Sequence, residues 1–168
     1  MYLRPSPSPL HTEPVGFLIR DYRATDFDRL WRIDQQCFPP GIAYTQMDLT
    51  GFITRRKAIT LVAEFPEGAE FSGGIAGFAV AQPIRKIGRI LTLDTIPQAR
   101  RSGLATQLMQ DCEKRLRAVG CEQVYLETAV DNEPALHLYH KLGYEILRTL
   151  PLYYPTHALD AYLMGKLL

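Results

Sequence analysis

A basic turn between a predicted strand and a predicted helix, at residues 93–106, constrains the fold of this chain more than any other feature. The helix is predicted from apolar residues that recur every four positions, which are Leu104, Leu108, Cys112 and Leu116. The first backbone N–H groups of such a helix have no partner within it and lie at the positive end of its dipole, so they favour a phosphate oxygen. The segment therefore predicts an α/β protein with an anion site at the start of this helix.

The side chains of the turn are compatible with that site. Gly103 and Ala105 leave room for a ligand, and Arg100 and Arg101 add positive charge. Further positive charge nearby in sequence is expected from Arg85, Lys86 and Arg89. A plain strand-to-helix turn with solvated arginines is the alternative, because the turn has neither the G-K-[ST] of a phosphate-binding P-loop nor the third spaced glycine of a dinucleotide-binding fingerprint.

The remaining periodicity predicts the order of the elements. Strands are predicted at 17–22, 58–65, 74–82, 87–96, 124–129, 144–150 and 160–167, and helices at 27–38, 45–56, 104–120 and 133–142. The order implies one α/β domain with a mixed, mostly antiparallel sheet of about seven strands flanked by about four helices. Hairpins are expected in its first half and crossover helices after residue 100.

The domain is predicted to begin at residue 16, because residues 1–15 alternate serine with proline and offer no periodic apolar face. We expect a flexible leader at 1–15, with a proline-motif ligand as the alternative, and a single domain at 16–168.

Composition narrows the class of protein. A net charge of +1 argues against a nucleic-acid or anionic membrane partner. The three cysteines, Cys37, Cys112 and Cys121, form no C-x-x-C pair, so neither a zinc site nor a disulfide framework is indicated, and no apolar run is long enough for a membrane span. We therefore expect a cytoplasmic protein without a metal. Its oligomeric state is open.

Two motifs resemble a known family. Residues 100–105, RRSGLA, match the Q/R-x-x-G-x-G/A pattern of the GCN5-related N-acetyltransferase (GNAT) superfamily. Residues 126–144, LETAVDNEPALHLYHKLGY, resemble a segment of its RimI-type members, which are ribosomal-protein-alanine N-acetyltransferases. Shorter likenesses lie at 37–39, 153–155 and 160–161. The similarity covers roughly residues 17–168.

The resemblance implies a GNAT-like domain that transfers the acetyl group of acetyl-CoA to a primary amine, most simply the N-terminal α-amine of a protein. It implies Glu127 as the proton acceptor, acting through water, and Tyr139 as the proton donor to the coenzyme A sulfur, in a direct transfer within a ternary complex. The co-substrate contacts that it implies are Leu93, Asp94, Thr95, Arg100, Arg101, Ser102, Gly103, Leu104, Ala105, Thr106 and Asn132.

Each of these residues also has a simpler interpretation. Glu127 could be an exposed strand carboxylate, Tyr139 a core residue, and Asn132 a helix N-cap. His137 and His140 lie three apart on one helix, but no third metal ligand is apparent. Two further side chains, Tyr153 and Tyr154, either line the acceptor groove or simply pack.

Departures from the RimI pattern bear on the acceptor. Asp94 places a charge where these strands are usually apolar, and residues 39–44 lack the P-W-S of the substrate-side loop. The alternatives are therefore a GNAT enzyme that acetylates a small-molecule amine or an antibiotic, and a non-catalytic acyl-CoA sensor. An acyl-cysteine intermediate is disfavoured, because no cysteine has a clear base partner.

Overall fold

The computed structural model describes residues 16–168, so the leader predicted at residues 1–15 lies outside the described part of the chain. The strands are β1 (Leu18–Asp21), β2 (Ile59–Glu64), β3 (Ile75–Ile84), β4 (Ile87–Thr95), β5 (Gln123–Ala129), β6 (Glu145–Tyr154) and β7 (Leu159–Leu167). The α-helices are α1 (Phe27–Cys37), α2 (Gln46–Ile53), α3 (Leu104–Ala118) and α4 (Glu133–Lys141). Within residues 16–168 this confirms the predicted α/β class, the seven strands and the four helices.

The strands form one sheet in the order β1-β2-β3-β4-β5-β7-β6. Every neighbouring pair is antiparallel except β4 and β5, which are parallel because α3 carries the chain from one to the other. β7 lies between β5 and β6 and pairs with both. The predicted hairpins and the crossover at α3 are confirmed.

The core lies on both faces of the sheet around β3. Residues 75–82 of β3 are buried without a break, and since successive residues of a strand alternate between faces, both faces must be covered. Helix α1 contacts β3 and β4, and α3 contacts β2, β3 and β4. Leu30 of α1 and Leu108 of α3 are fully buried in this core. No α-helix of the described chain is long and apolar enough to cross a membrane.

A buried polar cluster fixes the end of α4. The Tyr144 hydroxyl donates to Glu113 Oε1 at 2.8 Å, and Lys166 Nζ lies 2.8 Å from Glu113 Oε2. Lys166 also donates to the Leu142 carbonyl, at 2.8 Å. Charged groups that are buried in this way are held in place by their partners, so α4 keeps a defined position over the sheet.

Candidate active site

The site is built around a fork between β4 and β5. Pairing between the two strands runs only from Ile87 with Gln123 to Arg89 with Tyr125, although both strands continue beyond it. On its other side β4 contains a bulge, because Ile90 faces Ala81 and Thr92 faces Val80, which leaves Leu91 without an opposite residue. A bulge bends and twists its strand, so it turns the end of β4 away from β5 and opens the fork.

One end of the fork carries the predicted anion site, which we call the cradle (residues 100–106). Gly103 caps the N-terminus of α3 with φ of +85°, a value that favours glycine, and a Cβ built there meets no atom within 4 Å. Arg100 and Arg101 are exposed beside it. The open space at Gly103 and the exposed arginines give the cradle the room and the charge that a pyrophosphate requires, and the first N–H groups of a helix are donors without a partner in the helix.

The extra positive charge expected from Arg85, Lys86 and Arg89 does not reach the cradle, and this prediction was wrong. These residues lie at the opposite end of β4, a strand of 9 residues that spans about 30 Å. Lys86 instead pairs with Glu122, and Arg89 pairs with Glu127. The prediction assumed that residues close in sequence lie close in space, but an extended strand keeps its two ends far apart.

Glu127 lies in the fork with a cation across from it. Arg89 Nη2 is 2.8 Å from Glu127 Oε1, and Arg89 Nε is 3.3 Å from Glu127 Oε2. The Glu127 side chain is 16% exposed and that of Arg89 is 40% exposed. Glu127 is therefore neither a free surface carboxylate nor a fully buried one. Sequence reasoning missed the place of Arg89 beside it, because it assigned Arg89 to the anion site.

Tyr139, on α4, is buried and packs its ring 5.8 Å from that of Tyr144. Burial raises the pKa of the Tyr139 phenol, and the nearby Asp94 and Tyr154 raise it further. The hydroxyl therefore keeps its proton at neutral pH and is available as a donor. The core interpretation and the proton-donor interpretation are both compatible with this position.

Asp94 occupies the fork on β4 and is not the charge that the sequence suggests. It is 1% exposed, its Oδ1 accepts from Thr92 Oγ1 at 2.6 Å, and its Oδ2 has no partner in the described chain. Burial raises the pKa of this carboxyl well above its usual range, with Asp34 adding to the effect. Because a buried carboxylate without a cation is costly, this position favours the protonated form of Asp94 over the charged form.

Asn132 begins α4 at the open end of the fork. Its side-chain oxygen accepts from the Ala135 N–H at 3.3 Å, so the N-cap interpretation is confirmed. The cap uses the amide oxygen and leaves the amide nitrogen free to donate. Asn132 can therefore cap the helix and contact a ligand at the same time.

The opposite side of the fork is covered by two loops, residues 38–45 between α1 and α2 and residues 155–158 between β6 and β7. The first is fixed at Tyr44, whose hydroxyl donates to Leu91 O at 3.0 Å and whose N–H donates to Asp34 Oδ2 at 2.8 Å. His157 Nε2 lies 2.8 Å from Pro40 O, which joins the two loops. We call this surface the acceptor side. The contact between His157 and Pro40 connects residues that are 117 positions apart, and no sequence motif marks it.

Tyr153 and Tyr154, at the end of β6, extend the acceptor side. Their rings meet edge to face at 5.0 Å. Burial raises the pKa of Tyr153, the Glu127 charge raises it further and the Arg89 charge opposes both. Tyr153 therefore packs against its neighbour and also lies beside the Arg89–Glu127 pair.

Other reactive side chains contribute little. Burial is the main cause that raises the pKa of Cys37 to about 11 and that of Cys112 to about 12, so both are unreactive thiols at neutral pH. His137 and His140 are exposed on α4. Residues 16–168 contain no group of three side chains placed to hold a metal ion.

Comparison with known proteins agrees with this geometry. The model of the acetyltransferase (GNAT) family matches residues 27–144. An N-alpha-acetyltransferase of Sulfurisphaera tokodaii is 30% identical over 89% of this chain and 92% of its own length. The structure of Ard1 from Thermoplasma volcanium is 28% identical with a TM-score of 0.78, over 92% of this chain and 99% of that one. The Escherichia coli ribosomal-protein-S18-alanine N-acetyltransferase shares the fold, with 21% identity and a TM-score of 0.78, over 90% of this chain and 94% of that one.

A forked sheet with a basic turn at the start of α3 is compatible with a transferase that uses an acyl-coenzyme A. The family match makes that class specific: this chain belongs to the acetyltransferase (GNAT) family. It is an acetyl-CoA-dependent N-acetyltransferase, and the superfamily resemblance drawn from residues 100–105 and 126–144 is confirmed.

Proposed function

We propose that this enzyme transfers the acetyl group of acetyl-CoA to the N-terminal α-amine of a protein or peptide, by direct transfer within a ternary complex. The observation that carries the proposal is the placement of Glu127 in the β4–β5 fork, between the cradle and the acceptor side. The matched N-alpha-acetyltransferase relative supports it over most of both chains.

The ionisation of amines favours a terminal acceptor. An α-amine has a pKa near 8 and a lysine amine one near 10.4, so at pH 7 roughly a tenth of α-amines are neutral but under a thousandth of lysines. Only the neutral amine has a lone pair that can attack the thioester. An α-amine therefore needs less help from a weak base such as a carboxylate.

We assign co-substrate binding to three groups of residues. The N–H groups and side chains of the cradle (Arg100, Arg101, Ser102, Gly103, Leu104, Ala105 and Thr106) hold the pyrophosphate. Leu104 is buried, so it contributes through its backbone alone. The backbone of Leu93, Asp94 and Thr95 binds the pantetheine arm and the thioester oxygen at the fork, and Asn132 donates its free amide N–H.

Glu127 and Tyr139 take the two proton-transfer roles. As the amine nitrogen bonds to the acetyl carbon and the carbon–sulfur bond breaks, Glu127 accepts the amine proton through water. Tyr139 donates its hydroxyl proton to the departing thiolate. Burial keeps that hydroxyl protonated before the reaction, as donation requires.

A panel of acceptors tests the proposal. Release of free coenzyme A is followed with peptides that have a free N-terminus and no lysine, with the same peptides N-terminally blocked, and with small-molecule amines. We expect turnover only where a peptide α-amine is free. Turnover with small amines alone would assign the enzyme to the small-molecule class. Acetyl-CoA binding without transfer to any amine would identify a sensor.

A further inference from the structure

The Arg89–Glu127 pair has a geometry that an accidental surface contact lacks. Arg89 contacts both carboxylate oxygens of Glu127, at 2.8 and 3.3 Å. Arg89 pairs in register with Tyr125, and Glu127 lies two residues further along β5, so their side chains emerge on the same face. The two-point contact holds the carboxylate in one orientation at the mouth of the fork.

A second ion pair between the same parts of the chain provides a contrast. Lys86 lies just before β4 and Glu122 lies just before β5. The distance from Lys86 Nζ to Glu122 Oε1 is 2.6 Å. The two side chains are 72% and 64% exposed, against 40% and 16% for Arg89 and Glu127. Exposed pairs of this kind contribute little, because water and salt screen them. Only the Arg89–Glu127 pair lies where it can act on a bound acceptor.

The groups around the Arg89–Glu127 pair favour their neutral forms and add little further charge. Burial raises the pKa of Tyr153, and it raises that of Tyr154 to about 12, so both phenols are neutral at pH 7. Burial also raises the pKa of Asp94 well above its usual range, which favours its neutral form. An incoming acceptor therefore meets a carboxylate that already has a cation, not a free negative charge.

This charge balance favours one form of the acceptor. A free carboxylate would attract an ammonium group, whereas a carboxylate that is paired with a guanidinium has no net charge to attract it. A neutral amine does not depend on that attraction. The site therefore discriminates against acceptors that arrive protonated, and lysine side chains are the most strongly protonated primary amines in proteins.

We propose that Arg89 positions Glu127 and makes the site select acceptors that are already neutral amines, so that α-amines are preferred over lysine side chains by electrostatics. This inference rests on the proposed function. The amine leaves its extra proton in solvent before it binds. Its nitrogen then bonds to the acetyl carbon as the carbon–sulfur bond breaks, Glu127 receives one of its two N–H protons through water, and the departing thiolate takes a proton from Tyr139.

The test compares two peptides of one sequence: one has a free N-terminus and no lysine, and the other has a blocked N-terminus and one lysine. We measure kcat/KM for each with the wild type, Arg89→Gln, Arg89→Lys and the control Lys86→Gln. We expect the α-amine to lysine ratio to fall at least about tenfold in Arg89→Gln, which keeps a polar side chain but loses the charge. Arg89→Lys keeps the charge and should retain the ratio, with a lower kcat because the two-point contact is lost.

Each result decides the inference. An unchanged ratio in Arg89→Gln, with both rates lowered equally, would show that Arg89 is merely structural. If Arg89→Gln is inactive, the Arg89→Lys ratio decides instead: a retained ratio supports the selection and a lost ratio overturns it. Failure of the proposed function is a separate result, because the wild type would then acetylate neither peptide. Lys86→Gln should match the wild type throughout, and a shift there would mean that any charge near β4 has the same effect.

Discussion

The two sides of the β4–β5 fork are built differently. The cradle and the end of β4 that precedes it come from one continuous segment, residues 93–106. This side relies on backbone N–H groups at the start of α3. The acceptor side and the fork beside it depend on side chains that reach segments far apart in the chain, as His157 does to the Pro40 carbonyl and Arg89 to Glu127. A site made of backbone groups tolerates many side chains and suits a co-substrate that stays the same. A site made of side chains can differ between enzymes that have different acceptors.

The sharpest test of the cradle side is Gly103→Glu. A carboxylate at this open position would occupy the phosphate site and repel the pyrophosphate, so we expect acetyl-CoA binding to be abolished in titration calorimetry. Gly120→Glu is the matched control, because Gly120 also has a positive φ, of +92°, with nothing near its Cβ position, but lies just past the other end of α3. Equal affinity in the Gly103→Glu and wild-type enzymes would disprove the cradle.

The fork itself is tested by removing the proton acceptor. Glu127→Gln keeps the shape of the side chain but cannot accept a proton, and general base help is worth roughly 10²- to 10⁴-fold. We expect kcat at saturating acetyl-CoA to fall by about that factor while the acetyl-CoA affinity is retained. Glu122→Gln, which alters the exposed pair near the start of β5, serves as the control and should be unaffected. Wild-type turnover in Glu127→Gln would remove its assigned role.

Tyr139→Phe tests the other proton transfer. The ring packing on Tyr144 survives, and only the hydroxyl is lost. Since a thiolate can also take a proton from water, we expect a smaller loss than for Glu127, on the order of 10²-fold in kcat. Single-turnover measurements separate this chemical step from product release. A Tyr139→Phe enzyme as fast as the wild type would leave Tyr139 as a core residue only.

Gly41→Ala disturbs the acceptor side alone. Gly41 has φ of +89°, and a Cβ there would lie 2.6 Å from Thr156 Oγ1, so alanine both strains the loop and separates it from residues 155–158. We expect the KM for the acceptor to rise roughly fivefold, which corresponds to about 1 kcal/mol, without a change in acetyl-CoA affinity. Gly68→Ala has similar backbone strain but open space, and should leave both values unchanged. A parallel loss of acetyl-CoA affinity would show that the two sides are not independent.

An effect on stability, with little effect on turnover, is expected at the support of the acceptor side. Burial raises the pKa of Asp34 to about 6, although hydrogen bonds from Tyr44 and Gln35 oppose the shift. The folded state then binds this proton more tightly than the unfolded state, so stability is greatest below the ordinary pKa and falls as pH rises to about 6. Asp34→Asn should remove about 2–3 kcal/mol of that fall, measured as the free energy of unfolding in urea at pH 4 and pH 7. An identical pH dependence in Asp34→Asn and the wild type would contradict the raised pKa.

The sequence predicted the parts that local patterns control. The strand-turn-helix at residues 93–106 and the N-cap at Asn132 each depend on neighbours in the chain, and both are present as expected. β6 was predicted to end near residue 150 but continues to Tyr154, because its pairing with Leu159 of β7 extends the ladder. The strand propensity of a segment does not reveal a pairing strand that follows it only after a turn.

Long-range pairing explains what the sequence could not show. Glu127 was expected near a cofactor, but its partner Arg89 lies 38 residues away and was assigned to the anion site. Asp94 would count as a charge in the printed sequence, and only its burial in the folded chain raises its pKa and favours the neutral form. Charge state and ion pairing depend on the folded surroundings, which is why the acceptor side was the less predictable half.

The place of β7 between β5 and β6 affects the order in which the enzyme can be completed during synthesis. β1 to β4 and α3, including the cradle, leave the ribosome before β7 does, so this part can begin to fold first. Until β7 pairs with it, β5 lies at the edge of the sheet, and the backbone that carries Glu127, beyond the β4–β5 pairing, has no strand partner on either side. A nascent chain can thus assemble a binding site for acetyl-CoA while its acetyl-transfer chemistry is still unformed.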